Sequence, residues 1–269
     1  MVMLGDADIP AVAAVLADPR RWRVLSALGD GRALPASMLA AEAGVAASTA
    51  SEHLARLVDS GLLSVERCGR YRYFRLAGPE VAELVEALAR VAPAAPVRSL
   101  REGTRAQALR FARICYDHLA GRVGIAVMDS MLQRGFLESG GEDTDGDGDG
   151  DEGSADGLAR GRGWARGDRL AGPGGALRYG LTELGAAFLT EFGVDLGALP
   201  PRRPAVRYCI DWSEQRPHLA GAVGVALTGR LLERGWLRRA ERSRAVHLTD
   251  QGRAGFAGVF GIDADRAAS

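Results

Sequence analysis

The 269-residue chain contains no lysine, so all 34 of its basic residues are arginine. So uniform a choice reads as coding bias, and no arginine is to be taken by itself as selected for bidentate geometry. Cysteine is scarce. The three present, Cys68, Cys115 and Cys209, are too few and too scattered for a disulfide framework and fit a reducing compartment. Near the start stand Asp6 and Asp8, with neither a basic region nor a long apolar run, which argues against a signal peptide or a membrane span. A cytoplasmic protein without membrane contact is expected. Net charge is also absent: 34 acidic residues balance 34 basic ones, which excludes a uniformly basic coat. The balance is a cancellation between segments, since Ser64 to Leu76 carries four arginines against Glu66, whereas Glu138 to Asp156 carries nine acidic residues and no base. The length allows two domains, each with its own core.

The most informative stretch is Leu34 to Leu76, LPASMLAAEAGVAASTASEHLARLVDSGLLSVERCGRYRYFRL. Met38, Leu39 and Ala43 place an apolar stripe on a first helix, and Gly44 permits the left-handed turn that follows. On a second helix Ala50, Leu54, Leu57 and Val58 recur at helical spacing and face inward. Ser48, Thr49, Ser51, Glu52, His53 and Arg56 are left outward or flanking, and most are short hydrogen-bonding groups suited to base edges in a major groove. Gly61 closes that helix, and Ser64 to Leu76 alternates as two strands around a turn at Cys68-Gly69. Arg67, Arg70 and Arg72 with Arg75 make the hairpin cationic, as phosphate contact requires. The order of parts predicts a winged helix-turn-helix with duplex DNA as partner. An amphipathic helix and a charged hairpin also occur apart in domains that never touch DNA; their order and spacing favour the DNA reading.

Residues from about Ile9 to Pro93 resemble the ArsR-type winged-helix transcriptional regulators. The matching stretches are ADPRRWRVLSALGDG (Ala17 to Gly31), the AASTASEHLARLVDSGLL core and the ERCGRYRYFRL wing. The resemblance implies a homodimer joined through the first and last helices of the domain, one recognition helix per half-site, and release from the operator when an effector binds. It places Ser48, Thr49, Ser51, Glu52 and His53 where that family reads DNA, and Arg67, Arg70 and Arg72 on its wing. Three departures stand out. Ala46 and Ala47 occupy the start of the recognition helix, where a side-chain cap is common. Glu52 replaces a neutral or basic residue. The helix around Met38 to Ala43 lacks cysteine, and Pro79 to Val91 lacks histidine, so the family's best-known metal sites are missing.

Past a linker rich in alanine and proline near Ala92 to Pro96, the chain repeats itself. Arg113-Ile-Cys-Tyr-Asp-His-Leu-Ala-Gly leads into RVGIAVMDSMLQRGFL, and Arg207-Tyr-Cys-Ile-Asp, followed by His218-Leu-Ala-Gly, leads into AVGVALTGRLLERGWL. Leu181-Thr-Glu-Leu-Gly and Leu248-Thr-Asp-Gln-Gly then open further helices. A duplicated helix-hairpin-helix unit is the simplest account. The expected fold is mainly α with small β-hairpins (α+β): a winged helix-turn-helix domain over 1–96 and a regulatory or dimerisation domain over 97–269. Within the latter, winged-helix-like repeats span about 110–197 and 205–265. Gly121, Gly124, Gly221 and Gly224 suggest close approach of the helices that carry them. An insert over 140–175 alternates Asp and Gly; Asp145, Asp147, Asp149 and Asp151 imitate a calcium loop, but the bidentate Glu is lacking, and a disordered wing tip is the preferred reading.

Each copy also holds a chemically versatile set, Cys115, Asp117 and His118 in one and Cys209, Asp211 and His218 in the other. These offer sulfur, oxygen and nitrogen ligands, and Cys115 and His118 share a face if their segment is helical. A structural role competes: a buried thiol, an Asp cap, a histidine bonded to a carbonyl. No cofactor is required by the sequence, and a metal is the candidate addition. The leading function is a dimeric, sequence-specific DNA-binding transcriptional regulator, a repressor released by a small-molecule or metal effector. Alternatives are a metal-, haem- or thiol-responsive sensor built on the duplicated sets, or a protein-interaction module with secondary DNA binding. An enzyme is not expected, because no phosphate loop follows a strand and no nucleophile, base and orienter pattern is found.

Overall fold

A computed structural model describes residues 6–69, 71–93, 95–140, 178–241 and 243–264. Arg70 and nearly all of the acidic insert, with the four aspartates of its calcium-like pattern, lie outside the described residues. The chain divides into two compact units, Met1–Ala92 with Arg242–Arg244, and Pro93–Glu241 with Ala245–Ser269.

In the first unit, helices α1 (Ile9–Leu16) and α2 (Pro19–Ala27) each begin at an aspartate with proline in the first turn. The Asp8 carboxylate accepts from Ala11 N at 3.0 Å, and Asp18 from Arg20 N and Arg21 N at 2.7 and 3.2 Å, so backbone N–H groups without helical partners are satisfied. Strand β1 (Leu34–Pro35) leads into α3 (Ala36–Ala43), whose end is Gly44 at φ 70°. Helix α4 (Ala47–Asp59) follows within three residues and starts at Ala46 without a side-chain cap. Strands β2 (Leu63–Cys68) and β3 (Tyr71–Leu76) form an antiparallel hairpin, and β1 completes the sheet in the order β1-β3-β2. Leu25, Leu39, Leu54, Leu57, Phe74 and Leu76 fill the core, joined by Val85 of α5 (Pro79–Val91).

The second unit opens with α6 (Leu100–Phe111), capped by Ser99, whose hydroxyl accepts from Glu102 N at 3.2 Å. There follow hairpin β4 (Arg113–Cys115) and β5 (His118–Ala120), helix α7 (Gly121–Gln133), hairpin β6 (Leu137–Gly140) and β7 (Arg178–Leu181), and helix α8 (Glu183–Phe192). The same order then recurs: β8 (Arg207–Ile210) with β9 (Pro217–Ala220), α9 (Gly221–Glu233), β10 (Leu237–Arg239) with β11 (Val246–Leu248), and α10 (Asp250–Gly255). Each series therefore carries a hairpin ahead of its first helix, one element more than the helix-hairpin-helix expected. The segment around Cys115 is strand because Tyr116, at φ 59°, and Asp117 turn the chain back on itself. Gly124 and Gly224 serve this join: a Cβ there would lie 2.5 Å from Leu119 O and 2.7 Å from Leu219 O respectively.

The two Leu-Thr-x-x-Gly signatures have one physical explanation. Thr182 Oγ1 accepts from Gly185 N at 3.0 Å and donates to Gly135 O at 2.7 Å; Thr249 Oγ1 accepts from Gly252 N at 2.9 Å and donates to Gly235 O at 2.7 Å. Each threonine caps a helix and ties it to the turn before the preceding hairpin. The glycines let that helix seat closely, since a Cβ on Gly185 or Gly252 would lie 2.1 Å from the carbonyl oxygen of Phe136 or Trp236. Gly185→Ala and Gly252→Ala should therefore each shift backbone and lower stability by about 1–3 kcal/mol or more. Urea denaturation of the full chain checks this, and unchanged midpoints would mean the helices are loosely seated.

Candidate functional site

Helix α4 buries Ala50, Leu54 and Leu57, which turns Ser48, Ser51, Glu52 and Arg56 to solvent along one face. Ser51 Oγ donates to Ala47 O at 3.0 Å and keeps its lone pairs available. Thr49 is half-buried. His53 is also half-buried, and its Nε2 is enclosed without a hydrogen-bond partner, so it is less available to a ligand than the sequence pattern implied. On the hairpin beside α4, Arg67 and Arg72 are exposed and stand directly opposite one another in the register. Arg75 is instead ion-paired to Glu66. Two like charges placed opposite across strands repel. A phosphate oxyanion between or beside them removes that repulsion, whereas the Glu66–Arg75 pair is already balanced.

The second unit gathers part of the duplicated set. Cys115 pairs with His118 across β4–β5, and Cys209 with His218 across β8–β9, so each hairpin presents one sulfur and one imidazole on the same face. The two hairpins meet at the histidines: the Nε2 atoms are 3.2 Å apart, and the rings stack with centroids at 5.1 Å. One potential ligand atom from each of the four residues lies within 4.8 Å of the other three. Asp117 and Asp211 do not join them. Asp117 Oδ1 faces His118 Nδ1 at 3.0 Å, and both carboxylate oxygens accept from Arg203, at 2.6 and 3.2 Å. Asp211 is wholly buried and bound to Arg113 Nη2 at 2.9 Å, Gly121 N at 2.7 Å and the Ser213 hydroxyl at 2.7 Å.

The electrostatics follow from these contacts. Burial alone would raise the pKa of both carboxyls. Arg113 above all reverses this at Asp211 and holds it well below the usual carboxylate range; at Asp117, His118 and Arg203 outweigh burial and lower the pKa. Burial pulls the His118 pKa down, and the Cys115 sulfur and the Asp117 carboxylate more than offset it, raising it to about 9.

A helix-turn-helix domain family matches residues 16–66, which takes in α2 through α4 and the start of the hairpin. Over nearly its whole length the chain is similar to an uncharacterised HTH-type transcriptional regulator, YdfF, of Bacillus subtilis (strain 168), with 36% identity over 250 residues, covering 93% of this chain and 95% of the relative. The chain belongs to the helix-turn-helix transcriptional regulators. The family of this regulator is one of transcriptional regulators and not of enzymes. Among solved structures, the DNA-binding fragment of a possible ArsR-family regulator from Mycobacterium bovis, described as homodimeric, is 33% identical and covers 33% of the regulator and 88% of its own chain, at a TM-score of 0.28. The transcriptional repressor BigR from Xylella fastidiosa is 25% identical over 33% of the regulator and 89% of its own chain, at a TM-score of 0.30.

Residues that sequence reading did not single out complete the regulator's second unit. Thr228 Oγ1 accepts from Leu119 N at 2.9 Å and donates to Gly224 O at 2.7 Å, which links the two series through buried polar groups. Arg216 binds Asp129 at 2.8 Å, and Ser130 Oγ donates to Phe260 O at 2.6 Å. Arg113 was visible only as the first letter of Arg-x-Cys-x-Asp. No local signal joins it to Asp211, nearly a hundred positions away. Among the described residues, no helix is long and apolar enough to cross a membrane.

Proposed function

We propose that this chain is a homodimeric operator-binding regulator of the ArsR type, a repressor released by a small-molecule or metal effector and acting in the cytoplasm. Helix α4 enters the major groove with Ser48, Thr49, Ser51, Glu52 and Arg56 near base edges and His53 at its margin, and the β2–β3 wing rests on phosphate through Arg67, Arg70 and Arg72. The observation that carries the reading is the exposed Arg67 facing Arg72 at the end of a hairpin beside a helix whose outer face is small and polar. Such a placement is unfavourable in isolation and favourable on a polyanion.

Homodimerisation is supported by α1, whose sequence IPAVAAVL is apolar throughout yet includes no buried residue, and by Val91 at the end of α5, 79% exposed. A second copy covering these first and last helices removes that surface from water. The second unit serves as the regulatory or dimerisation domain, built of two winged-helix-like copies. Its recurring element order and the matched Thr182 and Thr249 caps support duplication.

The test is binding of the full chain to duplex DNA from upstream of its own gene against a random duplex. Replacing Ser48 and Ser51 together with alanine removes two exposed base-facing hydroxyls. Binding to the specific site should fall by about 1–3 kcal/mol for each hydroxyl that reads a base, with thermal stability unchanged. Equal specific affinity in wild type and variant moves the reading surface away from this face of α4.

A further inference from the structure

We propose that Cys115, His118, Cys209 and His218 form a four-ligand site for a borderline divalent metal ion, zinc first, that clasps hairpin β4–β5 to hairpin β8–β9. The inference stands apart from the DNA-binding reading, since it concerns only groups inside the second unit.

The donor set suits such an ion. Two thiols and two imidazoles, with no carboxylate among them, are the sulfur and nitrogen ligands that tetrahedral zinc takes in closed sites. The geometry agrees where it is sharpest. With zinc–nitrogen bonds of about 2.0–2.1 Å, a tetrahedron sets its two nitrogens about 3.3 Å apart, and the two Nε2 atoms stand at 3.2 Å. The sulfur-containing edges of the same tetrahedron run to about 3.8 Å, within reach of a cluster whose four donors lie inside 4.8 Å. Three of the residues are buried, His218 completely, and Cys209 is partly exposed.

Polar satisfaction points the same way. Two nitrogens at 3.2 Å share at most one proton, so one ring must present a lone pair to the other. His218 has no other anchor at its ring nitrogens: Nδ1 is buried and without a hydrogen-bond partner. A buried imidazole whose one ring nitrogen has no partner and whose other meets only a second imidazole is poorly compensated for its lost hydration. An ion at the centre replaces that single shared proton with two coordinate bonds.

The groups behind the ligands are also in place. His118 Nδ1 lies 3.0 Å from Asp117 Oδ1, so donation to that carboxylate directs Nε2 to the ion, which takes the place of any proton there, and Arg203 fixes the carboxylate by two hydrogen bonds. A carboxylate behind a histidine is the arrangement that fixes the tautomer of a metal-bound imidazole and raises its basicity. Asp117 is thus a positioning residue and not a ligand. Each hairpin supplies one sulfur and one nitrogen, so neither holds the ion alone, and loading the site ties the two series together.

The experiment uses the full chain, purified without chelator in a thiol reductant, with metal content measured by plasma mass spectrometry and free thiols counted chemically. Wild type should retain about one zinc per chain through gel filtration. After removal of zinc, cobalt(II) should give the visible bands of a tetrahedral site together with sulfur-to-cobalt charge transfer in the near ultraviolet. Cys209→Ser, the least buried change, should lose part of that charge-transfer intensity and weaken zinc retention. Asp117→Asn should bind zinc 10- to 100-fold more weakly with the cobalt bands kept. Both variants should retain the far-ultraviolet circular dichroism of wild type, which separates loss of the site from loss of the fold. A folded, fully reduced wild type that holds no stoichiometric zinc and gives no tetrahedral cobalt spectrum overturns the proposal. So does a Cys115–Cys209 disulfide in the isolated chain whose reduction does not restore zinc binding, or equal zinc affinity in wild type and Cys209→Ser.

Discussion

Asp211→Ala should destabilise the second unit by about 3–5 kcal/mol, the cost of leaving a buried ion pair with one partner. Arg113 and Asp211 are both fully buried at 2.9 Å, and the guanidinium also lies over the Trp212 ring, with its carbon 4.9 Å from the centroid. Removing the carboxylate leaves that cation without this counter-charge and releases Gly121 N and the Ser213 hydroxyl as well. Replacing both members, Arg113→Met with Asp211→Leu, should recover much of the loss, because no unpaired charge remains. The pH dependence has a definite sign. The folded pKa of Asp211 is depressed, so its stabilisation is present above the unfolded value of about 3.9 and disappears as pH falls toward the folded one. Thermal unfolding followed from pH 7 down to about pH 2 should show wild type losing stability steeply below about pH 4 and Asp211→Ala losing less. Parallel curves would mean that this pair contributes nothing to the acid transition.

The second large effect belongs to the wing. Arg67→Glu with Arg72→Glu replaces two exposed cations by anions at facing positions. Each phosphate interaction of this kind contributes about 1.5–3 kcal/mol as a charge-assisted hydrogen bond, so removing both should weaken binding by roughly 100-fold or more. Repulsion from the backbone deepens the defect. It should be nearly equal on operator and random DNA, because phosphate contacts position the protein without reading sequence. A defect confined to the operator would place these arginines in a groove.

How much of this was legible in the sequence varied with the range of the interaction. The winged helix was readable because its information is local: the periodicity of Ala50, Leu54 and Leu57 defines the buried face of α4, and the alternation of Ser64 to Leu76 gives the hairpin. The second unit was legible as a pattern but not as a geometry. Repetition of Leu-Thr-x-x-Gly marked the helix starts, yet the close seating of Gly185 against Phe136 O and of Gly252 against Trp236 O depends on contacts across some fifty and sixteen positions. The segment from Arg113 to Ala120 is too short for periodicity to separate helix from strand, and the turn at Tyr116-Asp117 decided for strand. The contact of His118 with His218, a hundred positions apart, had no spacing signal at all. Its trace in the sequence was the presence of the same residue types in both copies. That trace did not separate the two aspartates, which bind Arg203 and Arg113, from the cysteines and histidines that converge.

The most direct test of the regulator reading is the affinity of the wild-type chain for its own upstream DNA and for random duplex, measured across a range of salt concentrations. A specific site should be bound at least about 1000-fold more tightly than random DNA, with both affinities falling linearly in the logarithm of salt concentration as bound counterions are released. Equal affinity for the two duplexes, or affinity indifferent to salt, would contradict an operator-binding regulator.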